Sequence, residues 1–175
     1  PVVRWKYDER GRNVEISYWG TDDKPALSRD RYAVIRKTFD ERGNLVEESY
    51  FDGDGRPVRA AAGYAIQRAG YDERNRLVAV RYLDEQGRPI NGPEGYASKT
   101  LEYDARGNAV GESLRGSDGE LLRSVRRRFD ERGRVVEEAN LAADGSPTVA
   151  PDGYSMVRLG ADPTFHYHST HFSRS

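Results

Sequence analysis

Short runs of residues rich in aromatic and β-branched side chains recur along the whole chain, and charged residues interrupt them. Tyr32–Phe39 and Leu45–Phe51 are two examples. Such runs favour β-strands, because branched and aromatic side chains pack well on a pleated surface. Short turn signals containing Asp and Gly separate the runs. The pattern therefore predicts β-hairpins over most of the chain.

Three sequence markers repeat in phase. The first is an aromatic residue followed by Asp, and it occurs at Tyr7, Phe39, Tyr71, Tyr103 and Phe129, in steps of 32, 32, 32 and 26 residues. The second resembles Asp-Gly-Arg-Pro and occupies positions 22–25, 54–57, 86–89, 118–121 and 144–147. The third is Gly-Tyr-Ala or a close variant, at 31–33, 63–65, 95–97 and 153–155. Markers in phase predict tandem repeats of about 32 residues.

The markers also predict where the units begin and end. We expect a hairpin array over residues 1–159, with units 1–31, 32–63, 64–95, 96–123 and 124–153 and a closing strand at 154–159. Residues 160–175 lack the markers and are expected to form a cap or a tail. In the shortened fourth unit no loop separates Leu122 from Ser124, so its strand should run on to Phe129. The chain opens inside a repeat, and we therefore expect it to be a fragment or a processed product.

The Asp-x-x-Gly segments predict type I turns in which Gly adopts a left-handed conformation and forms a bulge. Where Gly is missing, Asn75 and Asp23 stand in its place. Asn and Asp are the residues other than Gly that best tolerate positive φ. These substitutions strengthen the prediction of hairpin turns.

A bulged turn also predicts a register. We expect these opposite pairs: Phe39 with Leu45, Thr38 with Val46, Lys37 with Glu47, Arg36 with Glu48, Arg127 with Glu137, and Arg126 with Glu138. Period two places a valine column at positions 14, 46, 78, 110 and 136 on one face, and the aromatic residues of the first marker on the other. The expected fold class is all-β. Because neither face is purely apolar, we expect a continuous antiparallel meander sheet or β-solenoid rather than a sandwich with one dry face. A short third strand is expected near Pro57 and Pro89.

The composition excludes some kinds of core and some classes of partner. Hydrophobic residues make up 36% and charged residues 33% of the 175 residues, which is too polar for one thick core. The formal net charge is −1, from 28 basic and 29 acidic residues, so we expect no nucleic-acid partner. No apolar run reaches 18 residues, so we expect no membrane insertion. The chain has no cysteine, which is compatible with export.

Candidate chemistry is sparse, and we expect neither enzymatic activity nor a cofactor. The three histidines, His166, His168 and His171, all lie in the tail, where three imidazoles could hold a divalent metal; the alternative is a loosely ordered tail. The segment Asp52–Gly55 resembles the start of a calcium loop. The twelfth position, counted from Asp52, is Gly63 instead of Glu, which favours a hairpin turn.

Aromatic residues recur at the end of one strand in successive units: Tyr18, Trp19, Tyr50, Phe51 and Tyr82. Exposed and stacked, they could bind sugar rings or a cationic head group. The alternative is that they pack between repeats, because a polar chain has few other large side chains to bury.

The segments Tyr7–Arg12, Phe39–Asn44, Tyr103–Asn108 and Phe129–Arg134 resemble the YD-repeat (Rhs-type) family of bacterial surface and toxin-associated proteins. The resemblance implies hairpin strips that wind into long sheets or shells, a secreted or surface location, and no chemistry within the repeat. We therefore expect a non-catalytic scaffold or interaction segment of a bacterial extracellular or envelope protein. Its expected partners are proteins, including copies of itself. The alternative is a carbohydrate- or cell-wall-binding module that uses the aromatic residues to bind a cell-surface glycan.

Overall fold

The computed structural model describes residues 2–149 and 156–158. Its eleven strands follow chain order in one antiparallel meander sheet, and none of the described residues is helical. The strands are β1 (Val2–Tyr7), β2 (Asn13–Trp19), β3 (Val34–Phe39), β4 (Leu45–Phe51), β5 (Ile66–Tyr71), β6 (Leu77–Leu83), β7 (Ser98–Tyr103), β8 (Ala109–Arg115), β9 (Leu121–Phe129), β10 (Val135–Asn140) and β11 (Met156–Arg158). The prediction of an all-β hairpin array with a meander sheet is confirmed.

The described residues divide into two compact units, one of residues 2–98 with 116–119 and the other of residues 99–115 with 120–149 and 156–158. The first unit contains β1 to β6, and its core is built mainly of buried tyrosine and alanine side chains. In the second unit Val125 and Ala139 are buried. No helix long and apolar enough to cross a membrane occurs in the part of the chain that the structure describes.

The hairpin turns have the predicted geometry. In the turn between β3 and β4, the Gly43 N–H donates to the Asp40 carbonyl at 3.1 Å, and the Asp40 N–H donates to the Asn44 carbonyl at 3.0 Å. Gly43 has a φ of 92°. Asn75 and Asp23 have φ values of 60° and 61°, so the prediction that they replace a left-handed Gly is confirmed.

The register departs from the prediction after the first pair. Phe39 does face Leu45, but Thr38 faces Glu47, Lys37 faces Glu48 and Arg36 faces Ser49. The predicted pairs of Thr38 with Val46, Lys37 with Glu47 and Arg36 with Glu48 are therefore wrong by one position. The reason is a second bulge, in which Val46 is an extra residue on β4 and has no partner of its own.

The same bulge recurs in other hairpins, at Val14, Val78 and Val136. The bulge also shifts the register of the fifth unit, where Glu138 lies opposite Arg127, and Glu137 lies opposite Arg128. The predicted pairs of Arg127 with Glu137 and Arg126 with Glu138 are wrong for this reason. These valines thus mark the position of a bulge.

The expected third strand is reduced to a single β-bridge in four of the five units. The bridges join Trp19 to Pro25, Phe51 to Pro57, Leu83 to Pro89 and Leu141 to Pro147. Proline lacks an N–H group and cannot donate to a longer ladder, which accounts for the short pairing. In the fourth unit, β9 runs without interruption for 9 residues, as predicted from the missing loop.

Candidate functional site

Six tyrosine rings stack one after another in the first compact unit, with neighbouring ring centroids 4.8 to 5.8 Å apart. This tyrosine ladder consists, in order, of Tyr18, Tyr32, Tyr50, Tyr64, Tyr82 and Tyr96. Every second member comes from the strand-end position, and the others come from the Gly-Tyr-Ala marker. The sequence markers indicate the two sets separately and do not predict that they interleave. The signal that could have predicted the interleaving is that the two sets recur in the same phase along the chain.

Tyr50 and Tyr82 are each only 7% exposed, so the ladder is mostly interior. The Tyr50 hydroxyl donates to a Glu48 carboxylate oxygen, and the Tyr96 hydroxyl donates to Glu94. Burial, together with the hydrogen bond to Glu48, raises the pKa of Tyr50 well above its usual range. Burial and the neighbouring Tyr18 hydroxyl raise the pKa of Tyr32 to about 12. These rings pack between repeats, and the exposed part of the ladder is small.

Trp19 and Phe51 lie on the opposite face of the sheet from their neighbours Tyr18 and Tyr50, because successive strand residues alternate in direction. The Trp19 Nε1–H donates to the Ser17 hydroxyl at 2.9 Å. The five aromatic residues predicted as a ligand site are therefore divided between two faces of the sheet.

Arginine side chains cover these two half-buried rings. The Arg4 guanidinium carbon lies 4.2 Å from the centroid of the Trp19 ring, and that of Arg36 lies 4.4 Å from the centroid of Phe51. Stacking of this kind is favourable, at roughly 0.5–1 kcal/mol where it is exposed. Part of each ring that a sugar would need is thus already in contact with a guanidinium group.

Ion pairs on the same face join consecutive hairpins. Arg36 Nε lies 3.1 Å from a Glu15 carboxylate oxygen across β2 and β3, and Arg68 Nε lies 2.7 Å from Glu47 across β4 and β5. Burial raises the pKa of Glu15, but hydrogen bonds from Lys6 and Arg36 outweigh it and lower the pKa overall. Because the arginines are half-exposed, each pair contributes modestly to stability and mainly favours the observed register.

Aspartates at the turns are used to hold the backbone. Asp72 Oδ1 accepts hydrogen bonds from the N–H groups of Arg74 and Arg76 at 2.9 and 3.0 Å, and its Oδ2 accepts from Arg76 Nε at 2.7 Å. These bonds, that of the Arg76 N–H first, lower the pKa of Asp72. The pKa is likewise lowered at equivalent turn aspartates: Asp8, Asp40, Asp104 and Asp130. The carboxylates are therefore already engaged in maintaining the turns.

Successive turns are also bonded to each other. An Arg10 guanidinium N–H donates to the Glu41 carbonyl at 2.7 Å, and Arg42 does the same to the Asp72 carbonyl at 2.7 Å. The bonds repeat from one unit to the next, so each hairpin positions its neighbour. This dependence on neighbours is the usual source of stability in repeat proteins.

β1 carries more exposed large apolar side chains than any other described strand. Trp5 is 55% exposed and Tyr7 is 62% exposed, and Val2 is also exposed. Among the described residues, β1 is the first strand of the sheet and pairs only with β2. Phe39, at the position equivalent to Tyr7, is half-buried because β3 has a strand on each side. We refer to Val2–Tyr7 as the β1 edge.

Metal-binding chemistry is not visible in the described residues, which include no group of three His, Asp or Glu side chains suited to a metal ion. His166, His168 and His171 lie outside the described residues. Asp52 Oδ1 accepts hydrogen bonds from the N–H groups of Asp54 and Arg56, each at 2.9 Å. This segment is a hairpin turn, as the sequence favoured.

Comparisons with known proteins give only distant likenesses. No family model matches the chain, and no curated protein matches it. Among solved structures, the chain is similar to a Photorhabdus luminescens Tc holotoxin pore carrying a TccC3 mutation (16% identity, TM-score 0.33), to TcdB2-TccC3-TEV (16%, 0.39) and to TcdB2-TccC3-Cdc42 (20%, 0.31). The matches cover 74%, 94% and 78% of this chain but only 7%, 9% and 7% of those chains. Because all three TM-scores are below 0.5, these likenesses establish neither a family nor a function for this chain.

Proposed function

We propose that the chain is a non-catalytic scaffold segment of a bacterial extracellular or envelope protein, of the YD-repeat (Rhs-type) kind, which binds protein partners including copies of itself. The aromatic-Asp-x-x-Gly segments support the YD-repeat assignment, because they form the hairpin turns of each unit. The absence of cysteine is compatible with an exported protein. The proposed role is to present a repeated surface rather than to perform chemistry.

The observation that carries this proposal is that successive hairpins of the same type pair edge to edge through the described sheet. Within the described residues, the β1 edge pairs with β2 alone. An unpaired strand presents a row of N–H and C=O groups that can pair with a strand of another molecule. Trp5 and Tyr7 add exposed apolar surface along the same strand. The partner that fits is a strand of the same repeat type. A strand equivalent to β2 could pair with β1 in the register in which β2 pairs with β3.

The lack of catalysis is supported by how the described charged groups are used. Turn aspartates bind backbone N–H groups, and the strand carboxylates of Glu15, Glu47 and Glu112 form ion pairs with basic residues of neighbouring strands. A catalytic carboxylate instead has to face a substrate with its oxygens available.

Sedimentation velocity over a series of protein concentrations tests the self-association. We expect the wild type to associate as concentration rises, and Trp5→Lys to weaken this by at least tenfold, because a lysine on an edge strand opposes pairing. The matched control is Leu27→Lys, which places the same charge on another exposed apolar residue, 63% exposed and outside β1. Circular dichroism verifies that both variants fold. A wild type that stays monomeric at every concentration, or equal effects of both variants, would contradict the proposal.

A glycan array separates this function from the carbohydrate alternative. The half-buried rings of Trp19 and Phe51 are the residues to test, as Trp19→Ala and Phe51→Ala. We expect no glycan to bind. Binding that is lost in both variants would replace the scaffold proposal with the carbohydrate one.

A further inference from the structure

The third hairpin breaks a pattern that the first two hairpins share. In each, an arginine on the first strand lies opposite a residue on the second: Arg4 opposite Ser17, Arg36 opposite Ser49, and Arg68 opposite Arg81. Of these three hairpins, only the third pairs two arginines. Like charges in directly opposite positions destabilise a sheet.

The charge of this pair is only partly balanced. Arg68 is bonded to Glu47 at 2.7 Å. Arg81 is exposed, and among the residues that the structure describes it has no ion-pair partner. One uncompensated positive charge therefore remains beside a second guanidinium group.

A second substitution opens space next to the pair. Trp19 and Phe51 provide the aromatic rings that Arg4 and Arg36 cover, but the equivalent residue of the third hairpin is Leu83. Leucine has no aromatic face on which Arg68 could stack.

A cavity of about 360 Å³ lies at this place, within the first compact unit. Its lining includes Arg68, Arg81, Leu83, Ser98 and Ser117. Two arginines and two serines thus lie around one open space.

We propose that this cavity binds an oxyanion, a phosphate or a carboxylate. Guanidinium groups have rigidly arranged N–H donors that match the paired oxygens of both anions. Serine hydroxyls supply further donors. A bound oxyanion would also remove the repulsion between Arg68 and Arg81. The site is separate from the β1 edge, so it adds a binding function to the proposed scaffold.

Isothermal titration calorimetry on the full chain tests the site with two probes, inorganic phosphate and N-acetylglutamate amide, at constant ionic strength set with chloride. We expect saturable binding of one anion per chain. Arg81→Ser restores the residue found at positions 17 and 49 and should weaken binding at least tenfold. Arg29→Ser, which removes an equal charge from an exposed loop, should leave binding unchanged.

Thermal melting gives a second readout that does not depend on a heat of binding. Phosphate should raise the Tm of the wild type above its value in chloride, and Arg81→Ser should lose this rise while melting higher than the wild type in chloride alone. Binding of phosphate alone would identify a site for a free ion, and binding of the glutamate probe would identify the carboxylate of a partner as a ligand. Neither probe binding, or equal losses in Arg81→Ser and Arg29→Ser, would overturn the proposal.

Discussion

Arg31 occupies a backbone conformation that its side chain disfavours, which predicts that Arg31→Gly stabilises the protein. Its φ is 72°, in the left-handed region. The equivalent positions of the next two units are Gly63 and Gly95, with φ values of 95° and 85°. The Arg31 N–H donates to the Ser28 carbonyl at 3.2 Å, a backbone bond that glycine would keep.

The expected gain is the difference of two effects. A left-handed conformation costs a residue with a Cβ atom roughly 1–2 kcal/mol. Glycine loses more backbone entropy on folding, which offsets roughly 0.5–1 kcal/mol of that gain. The exposed Arg31 side chain has no recorded hydrogen bond or ion pair among the described residues, so its removal adds little. The net stabilisation should be about 0.5–1 kcal/mol, or a Tm increase of about 1–4 °C for a chain of this size.

Thermal unfolding followed by circular dichroism measures this change. Gly63→Ala is the matched reverse substitution, because a Cβ at Gly63 would meet no atom within 4 Å and would change only the backbone preference. It should lower the Tm by a similar amount. If Arg31→Gly lowered the Tm, or if Gly63→Ala left it unchanged, the explanation by backbone strain would be wrong.

Three further substitutions or titrations test the ladder and the turns. Tyr50→Ala should destabilise the protein by about 3–5 kcal/mol in urea unfolding, as large buried aromatics do, whereas Tyr50→Phe loses only the bond to Glu48, about 1 kcal/mol; equal effects would refute the packing role. The lowered pKa of Asp72 means that its contribution to stability is present above its unfolded value of 3.8 and is lost as pH falls through the lower folded pKa, so Asp72→Asn should weaken the acid dependence of the Tm. The raised pKa of Tyr32, about 12, means that its contribution is complete below pH 10 and is lost as pH rises through 12. The change in tyrosinate absorbance near pH 10, divided by the number of tyrosines, should therefore be smaller in the wild type than in Tyr32→Phe.

The turns could be predicted from sequence because their chemistry is local. A residue that tolerates positive φ at the fourth position marks them, and this included Asn75 and Asp23, whose turns begin at Asp72 and Gly20. Arg31 was missed because its side chain gives no indication of a left-handed backbone. The left-handed backbone at this position could be predicted only from its alignment with Gly63 and Gly95 in the next two units.

The register and the site depended on pairing that sequence spacing does not show. A turn fixes the first pair, Phe39 with Leu45, but the Val46 bulge lies one residue further along and shifts every later pair. The tyrosine ladder requires Tyr32 to lie between Tyr18 and Tyr50, which follows only once the strands are paired. Period two could have separated Tyr18 from Trp19, since adjacent residues point to opposite faces.

Amide hydrogen exchange of the β1 edge tests the central claim most directly, namely that these stacked hairpins form a scaffold that accepts another strand of the same type. Exchange is measured at low and high protein concentration, with β3 as the internal reference because it has a strand on both sides. We predict that the amides of β1 facing away from β2 exchange rapidly at low concentration and become protected at high concentration, while β3 does not change. Rapid exchange of the β1 edge at every concentration would contradict the claim.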